Sequence, residues 1–178
     1  MSKESGTPEV FPPGDILVVD DTLASLRSIE VQLRERGYKV RCVTDGKTAI
    51  AVATHQPPEL MLLDVVMPGM SGYDVCRALK SQPDTVDFPI IFLTSLTETE
   101  DIVEGFGAGG VDFLSQPVRP DEMVARVKTH IELYRAREAI QEHKDLLEQS
   151  VADRTFELQQ ANLKLTESEE IYRTLYQN

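Results

Sequence analysis

The chain has 178 residues, enough for one ordinary domain with an extension, and its 41% hydrophobic and 27% charged content fits a globular class. Thirty acidic against 18 basic residues leave a net charge of -12. Such a surface repels phosphate backbones and argues against direct nucleic-acid binding, although it suits a carboxylate cluster that wants a divalent cation. No apolar run reaches about 18 residues and the N-terminus has no apolar segment, so neither a membrane span nor a secretory signal is expected and the chain reads as cytoplasmic. Cys42 and Cys76 lack CxxC spacing and read as buried small apolar residues.

Residues 1–14 hold Ser, Gly, Thr and three Pro, and read as a mobile tail. Asp15-Ile16-Leu17-Val18-Val19 is a buried strand that ends in Asp20-Asp21. Asp21 or Thr22 then caps a helix to about Arg36, with Leu23, Leu26, Ile29 and Leu33 at helical spacing and Gly37 as its stop. Lys39 to Val43 reads as a second strand, Thr48 to Thr54 as a second helix, and Pro57-Pro58 as a stop. Glu59-Leu60-Met61-Leu62-Leu63-Asp64 is the most informative stretch. A continuous apolar run leads into one carboxylate, followed by a turn on Pro68, Gly69 and Gly72, which is the pattern of a strand buried on both faces. A helix over Gly72–Lys80 follows, then a polar loop through Asp87. The fourth strand is Pro89 to Leu93, ending at Thr94-Ser95. The fourth helix runs from about Glu98 to Ala108. The fifth strand is Val111 to Leu114, ending at Ser115-Gln116-Pro117, and from Asp121 the chain is helical almost to its end.

Five βα repeats imply an α/β fold, a doubly wound parallel sheet with right-handed crossovers. In the flavodoxin-like order 2-1-3-4-5, the carboxyl ends of strands one, three, four and five bring Asp20, Asp21, Asp64, Thr94 and Gln116 to one edge, where such sheets bind ligands. Three carboxylates held together raise each other's pKa unless a cation relieves them. Mg²⁺ prefers oxygen ligands. A carboxylate beside Mg²⁺ can act as a nucleophile toward a phosphoryl group.

These residues resemble the receiver domain of bacterial two-component response regulators. The resemblance rests on Asp20-Asp21 after strand one, Asp64 after strand three, the loop Met67-Pro68-Gly69-Met70-Ser71-Gly72, Thr94 after strand four, Phe113 in strand five and Pro117 at its end. It implies that Asp64 is the phosphoacceptor and that Asp21, Asp64 and the backbone carbonyl of Val66 ligate Mg²⁺, with Asp20 acting mainly through water. It further implies that Thr94 and Phe113 form a switch pair, that the bond before Pro117 is cis, and that the partner is a sensor histidine kinase or phosphotransfer protein. It implies no enzyme beyond self-phosphorylation from a donor and autodephosphorylation. One departure stands out. The family carries Lys where this chain has Gln116, and glutamine donates only a neutral hydrogen bond. That substitution supports an alternative, a pseudo-receiver serving as a dimerisation or docking module. A Mg²⁺-dependent phosphohydrolase is a third reading, but it needs a second acid near the nucleophile, and Val66 occupies the position two residues after Asp64.

Asp121 to Tyr176 contains no Pro or Gly. One helix of that length would reach about 84 Å at 1.5 Å per residue. Met123, Val124 and Val127 are expected against the sheet. Beyond them, Ile140, Leu147, Ala161 and Leu175 share one heptad phase, and Val151, Leu158, Leu165 and Tyr172 the other, with Lys144, Arg154 and Ser168 as polar seam positions. This reads as a parallel two-stranded coiled coil, hence a homodimer. The expected division is a tail over 1–14, a receiver over 15–134 and a coiled-coil signalling helix over 135–178. The end, Glu167 to Leu175, resembles the lead-in to a PAS sensory domain, as in a fragment whose output domain lies further on.

Overall fold

The computed structural model describes residues 14–95 and 99–176. The strands are β1 (Asp15–Val19), β2 (Lys39–Val43), β3 (Leu60–Asp64), β4 (Ile90–Thr94) and β5 (Asp112–Ser115). The helices are α1 (Leu23–Glu35), α2 (Gly46–His55), α3 (Gly72–Lys80), α4 (Thr99–Ala108) and α5 (Pro120–Tyr176). The strands form one parallel sheet in the order β2-β1-β3-β4-β5.

The apolar runs explain this sheet. Successive strand side chains point to opposite faces, so a continuous run supplies two cores at once. Ile16, Val18, Leu60, Leu62, Ile91 and Leu93 pack with Leu26, Ile29 and Leu33 of α1 and with Met123, Val127 and Ile131 of α5. Leu17, Val19, Met61, Leu63, Ile90 and Phe92 pack on the other face with Ala49, Ala53, Val75, Cys76, Leu79 and Ala108. Leu60, Met61, Leu62 and Leu63 are all fully buried. At about 1.5–3 kcal/mol per buried side chain, this central strand is a principal source of stability. Asp64 shares that burial only because it ends the strand.

Several boundaries differ from the sequence reading. Leu23 is 63% exposed. It opens α1, one turn before the buried Leu26, so its helical spacing does not place it in the core. Thr22 is the N-cap residue of α1 but makes no capping hydrogen bond with its side chain, while Asp45 does cap α2 by accepting from the N–H of Thr48 at 2.9 Å. The second helix begins at Gly46 rather than Thr48, and β5 lies one residue later than expected. Cys42, near the end of edge strand β2, is only half-buried, unlike Cys76. Gly14 is buried and its carbonyl accepts from Lys39 N–H at 3.0 Å, so it belongs to the sheet. The first 13 residues of the tail expected over 1–14, and the start of the fourth helix at Glu98, lie outside the described residues.

The chain divides into a unit of residues 1–134 and a unit of residues 135–178. Among its described residues the second is helical throughout. Ile140, Leu147, Val151, Leu158, Leu165, Tyr172 and Leu175 are all exposed on it, and so is Ala161. No helix among the described residues is long and apolar enough to cross a membrane.

Candidate functional site

Three carboxylates meet at the carboxyl edge of the sheet. Ligand oxygens of Asp20, Asp21 and Asp64 all lie within 4.8 Å of one another. Parallel pairing puts them there. β1 and β3 are neighbours in register, Val19 opposite Leu63, so the residues that follow or end these strands emerge side by side.

The three acids have different surroundings. Asp20 is 1% exposed and uses both oxygens: Oδ1 accepts from Thr22 N–H at 2.8 Å and Oδ2 from the Ser25 hydroxyl at 2.5 Å. Asp21 is exposed. Asp64 is 7% exposed, and its Oδ1 accepts from Val66 N–H at 3.2 Å. Burial pushes the Asp64 carboxyl up to about 6, the charges of Asp20 and Asp21 add to this, and the Val65 and Val66 backbone amides pull the other way. A site made only of oxygen donors, with too much negative charge for its burial, suits a hard divalent cation.

The turn after Asp64 is tied down twice. Val65 carbonyl accepts from Gly72 N–H at 2.9 Å, and Ser71 and Asp74 form a capping box at the start of α3. A methyl on Gly72 would stand 2.2 Å from the Asp64 carbonyl oxygen, so only glycine lets α3 start this close to β3.

Thr94 ends β4, is 4% exposed, and its carbonyl accepts from Gln116 N–H at 2.8 Å. The Gln116–Pro117 bond is cis. Phe113 is half-buried and sits in a row of rings. Its centroid is 5.5 Å from that of Phe92 and 5.1 Å from that of Phe106, and Phe92 is 5.1 Å from Tyr73. A methyl on Gly105 of α4 would meet the Phe113 ring at 2.4 Å. Asp112, beside Phe113, is gripped by α5: Arg126 Nη1 donates to its oxygens at 2.7 and 2.8 Å, and His130 Nε2 lies 3.1 Å away. Burial raises the Asp112 pKa, but the hydrogen bonds from Arg126, Phe113 N–H and His130 outweigh it and hold the carboxyl below its usual range.

Sequence reasoning placed Asp20, Asp21, Asp64, Thr94 and Gln116 at one edge. It did not find Ser25, Gly105 or the Asp112–Arg126–His130 cluster. A Ser in the first turn of the helix after an acidic pair was a usable signal for Ser25, while the others needed the packing.

The model of the response regulator receiver domain matches residues 16–128. The chain belongs to the receiver family of two-component response regulators. Its receiver is 42% identical over 114 residues to the response regulator PleD of Caulobacter vibrioides, covering 64% of this chain and 25% of that protein. A probable cyclic di-GMP phosphodiesterase of Vibrio cholerae is 36% identical over 143 residues, 80% of this chain and 32% of that one. The chain thus spans about a quarter to a third of these relatives. Among solved structures, a response regulator of Chloroflexus aurantiacus superposes with a TM-score of 0.65 at 34% identity, over 67% of this chain and 98% of its own. The receiver domain of the Pseudomonas aeruginosa sensor histidine kinase PA1611, solved with a magnesium ion in its active-site cleft, gives 0.64 at 31% identity, over 67% and 98%.

Proposed function

We propose that this receiver accepts a phosphoryl group on Asp64 from a histidine kinase or phosphotransfer protein, and relays the change through a homodimeric coiled coil in α5 to an output module. The observation that carries the first half is the placement of Asp64, a single carboxylate at the end of a strand buried throughout, within 4.8 Å of two further acids. With its carboxyl pushed up to about 6, Asp64 is ionised at neutral pH and can act as a nucleophile. Val66 N–H orients its Oδ1. As the bond from Asp64 oxygen to phosphorus forms, the donor leaves with the electron pair of the bond that breaks.

Asp21, Asp64 and the Val66 carbonyl would hold Mg²⁺, with Asp20, fixed by Thr22 and Ser25, acting mainly through water. When bound, Mg²⁺ neutralises charge on the phosphoryl oxygens. The PA1611 receiver, which holds magnesium in its cleft, supports this choice. Thr94 and Phe113 form the switch, the hydroxyl moving toward the phosphoryl group and the ring following.

The exposed heptad stripe supports the dimer. With Lys144, Val151, Leu158, Leu165 and Tyr172 at one seam position and Ile140, Leu147, Arg154, Ala161, Ser168 and Leu175 at the other, a parallel pairing sets Lys164 of one copy against Glu169 of the other, and His143 against Glu148. Both pairings are attractive or neutral. The end of α5 leads toward the output module, whose resemblance to a PAS lead-in begins at Glu167.

Intact mass after incubation with Mg²⁺ and a small phosphodonor tests the reading. An adduct is expected in the parent and absent in Asp64→Asn. No adduct in either protein, even after Gln116→Lys, would leave a constitutive dimerisation module instead.

A further inference from the structure

A cavity of about 360 Å³ opens beside Asp64, between α1 and the loop after β5. Asp20 and Asp64 form one end, and Ser25, Ser28, Gln32 and Gln116 line much of the rest. No Lys, Arg or His is among its ten lining residues.

The charges there do not balance once a phosphoryl group arrives. Phosphorylated Asp64 would carry about two negative charges, by analogy with other phosphorylated side chains. Asp20 and Asp21 add one each. A divalent cation returns two, leaving about two uncompensated in a site where water screens poorly. Gln116 supplies at most a neutral donor. Gln32, one of the lining residues, has a buried side-chain oxygen with no hydrogen-bond partner among the described residues, while its amide nitrogen donates to the Ser28 hydroxyl at 3.2 Å. Such an acceptor costs free energy until a donor reaches it. Arg119, three residues after Gln116, is exposed and is not part of the lining.

We infer that this cavity receives a guanidinium or ammonium group carried by the phosphodonor protein, which supplies in trans the cation the receiver lacks. The inference rests on Asp64 being the phosphoacceptor. The cation makes and breaks no covalent bond. The Asp64 oxygen–phosphorus bond forms, the donor–phosphorus bond breaks, and the cation stabilises the oxygens between them. The chain can then be phosphorylated efficiently only by a partner that brings the cation with it, so the cavity selects the donor.

Chemical rescue tests this on the full chain with Mg²⁺ and acetyl phosphate, following the adduct by intact mass. Millimolar guanidinium should accelerate phosphorylation saturably by about tenfold, the difference between a charged and a neutral hydrogen bond. Sodium and tetramethylammonium at equal ionic strength should not. Gln116→Lys should react quickly without guanidinium and gain nothing from it. Equal acceleration by sodium, or undiminished guanidinium acceleration in Gln116→Lys, would overturn the inference. So would a slower basal rate in Arg119→Ala, since the cation would then come from this chain. An adduct in Gln116→Lys with no guanidinium response in the parent would sink the inference alone. No adduct even in Gln116→Lys would sink the phosphoacceptor reading with it.

Discussion

Leu62 and Leu158 are the same residue in opposite circumstances. Leu62, in β3, is fully buried between α1 and α5, while Leu158 in the helical unit is 65% exposed. In the receiver the apolar runs of β1, β3 and β4 find their cover within the unit. In residues 135–176 the apolar residues at heptad spacing are exposed. The contrast teaches that apolar content alone does not define a core; burial needs facing elements to supply the other side.

Substitution separates the two cases most sharply. Leu62→Ala should lower receiver stability by about 3 kcal/mol in urea, the usual cost of a cavity at a fully buried leucine. Leu158→Ala should leave that transition in place and instead weaken dimerisation in sedimentation equilibrium. A receiver transition that moved equally in both variants would end the distinction.

The next effect lies inside the receiver, where a buried charge stands among buried apolar groups. The Asp64 carboxyl, at about 6, lies above its ordinary value near 4. The folded state therefore binds this proton more tightly than the unfolded chain, and stability falls as pH rises from about 4 to about 6, with the loss complete above that. Asp64→Asn should accordingly stabilise the metal-free protein by about 2 kcal/mol at pH 7.5 and by almost nothing at pH 4. Added Mg²⁺ should stabilise the parent at pH 7.5, and less as protons compete below about pH 6. A pH-independent gain would mean that the effect is steric.

Gly105→Ala sharpens the comparison at the aromatic row. In an open helix this change stabilises by about 1 kcal/mol. Here the new methyl would meet the Phe113 ring at 2.4 Å, so we expect a loss of about 1–2 kcal/mol, turning to a gain in the Phe113→Ala background. The smallest effect is at the α5 grip on β5. Arg126→Ala should cost about 0.5–1 kcal/mol at neutral pH, because the pair is partly exposed. The Asp112 carboxyl is held below its usual range, so this contribution should fade as pH falls through that range, and the parent and variant should converge in acid.

Much of the receiver was legible in its sequence because the signals are local. A run such as Leu60-Met61-Leu62-Leu63 must be buried on both faces, βα alternation forces parallel pairing, and parallel pairing brings the ends of β1 and β3 together with their carboxylates. The same locality misled at Leu23, where helical spacing continued past the edge of the sheet it was meant to cover.

By itself, then, the sequence determined the layering, the strand order and the acids at the carboxyl edge, since each follows from periodicity and chain connectivity. It took the folded packing to show that Ser25 clamps Asp20, that Gly105 makes room for Phe113, that Arg126 and His130 grip Asp112, and that the Gln32 oxygen has no donor among the described residues. Those facts depend on side chains from separate elements meeting at a few ångströms, and no spacing along the chain encodes such a distance.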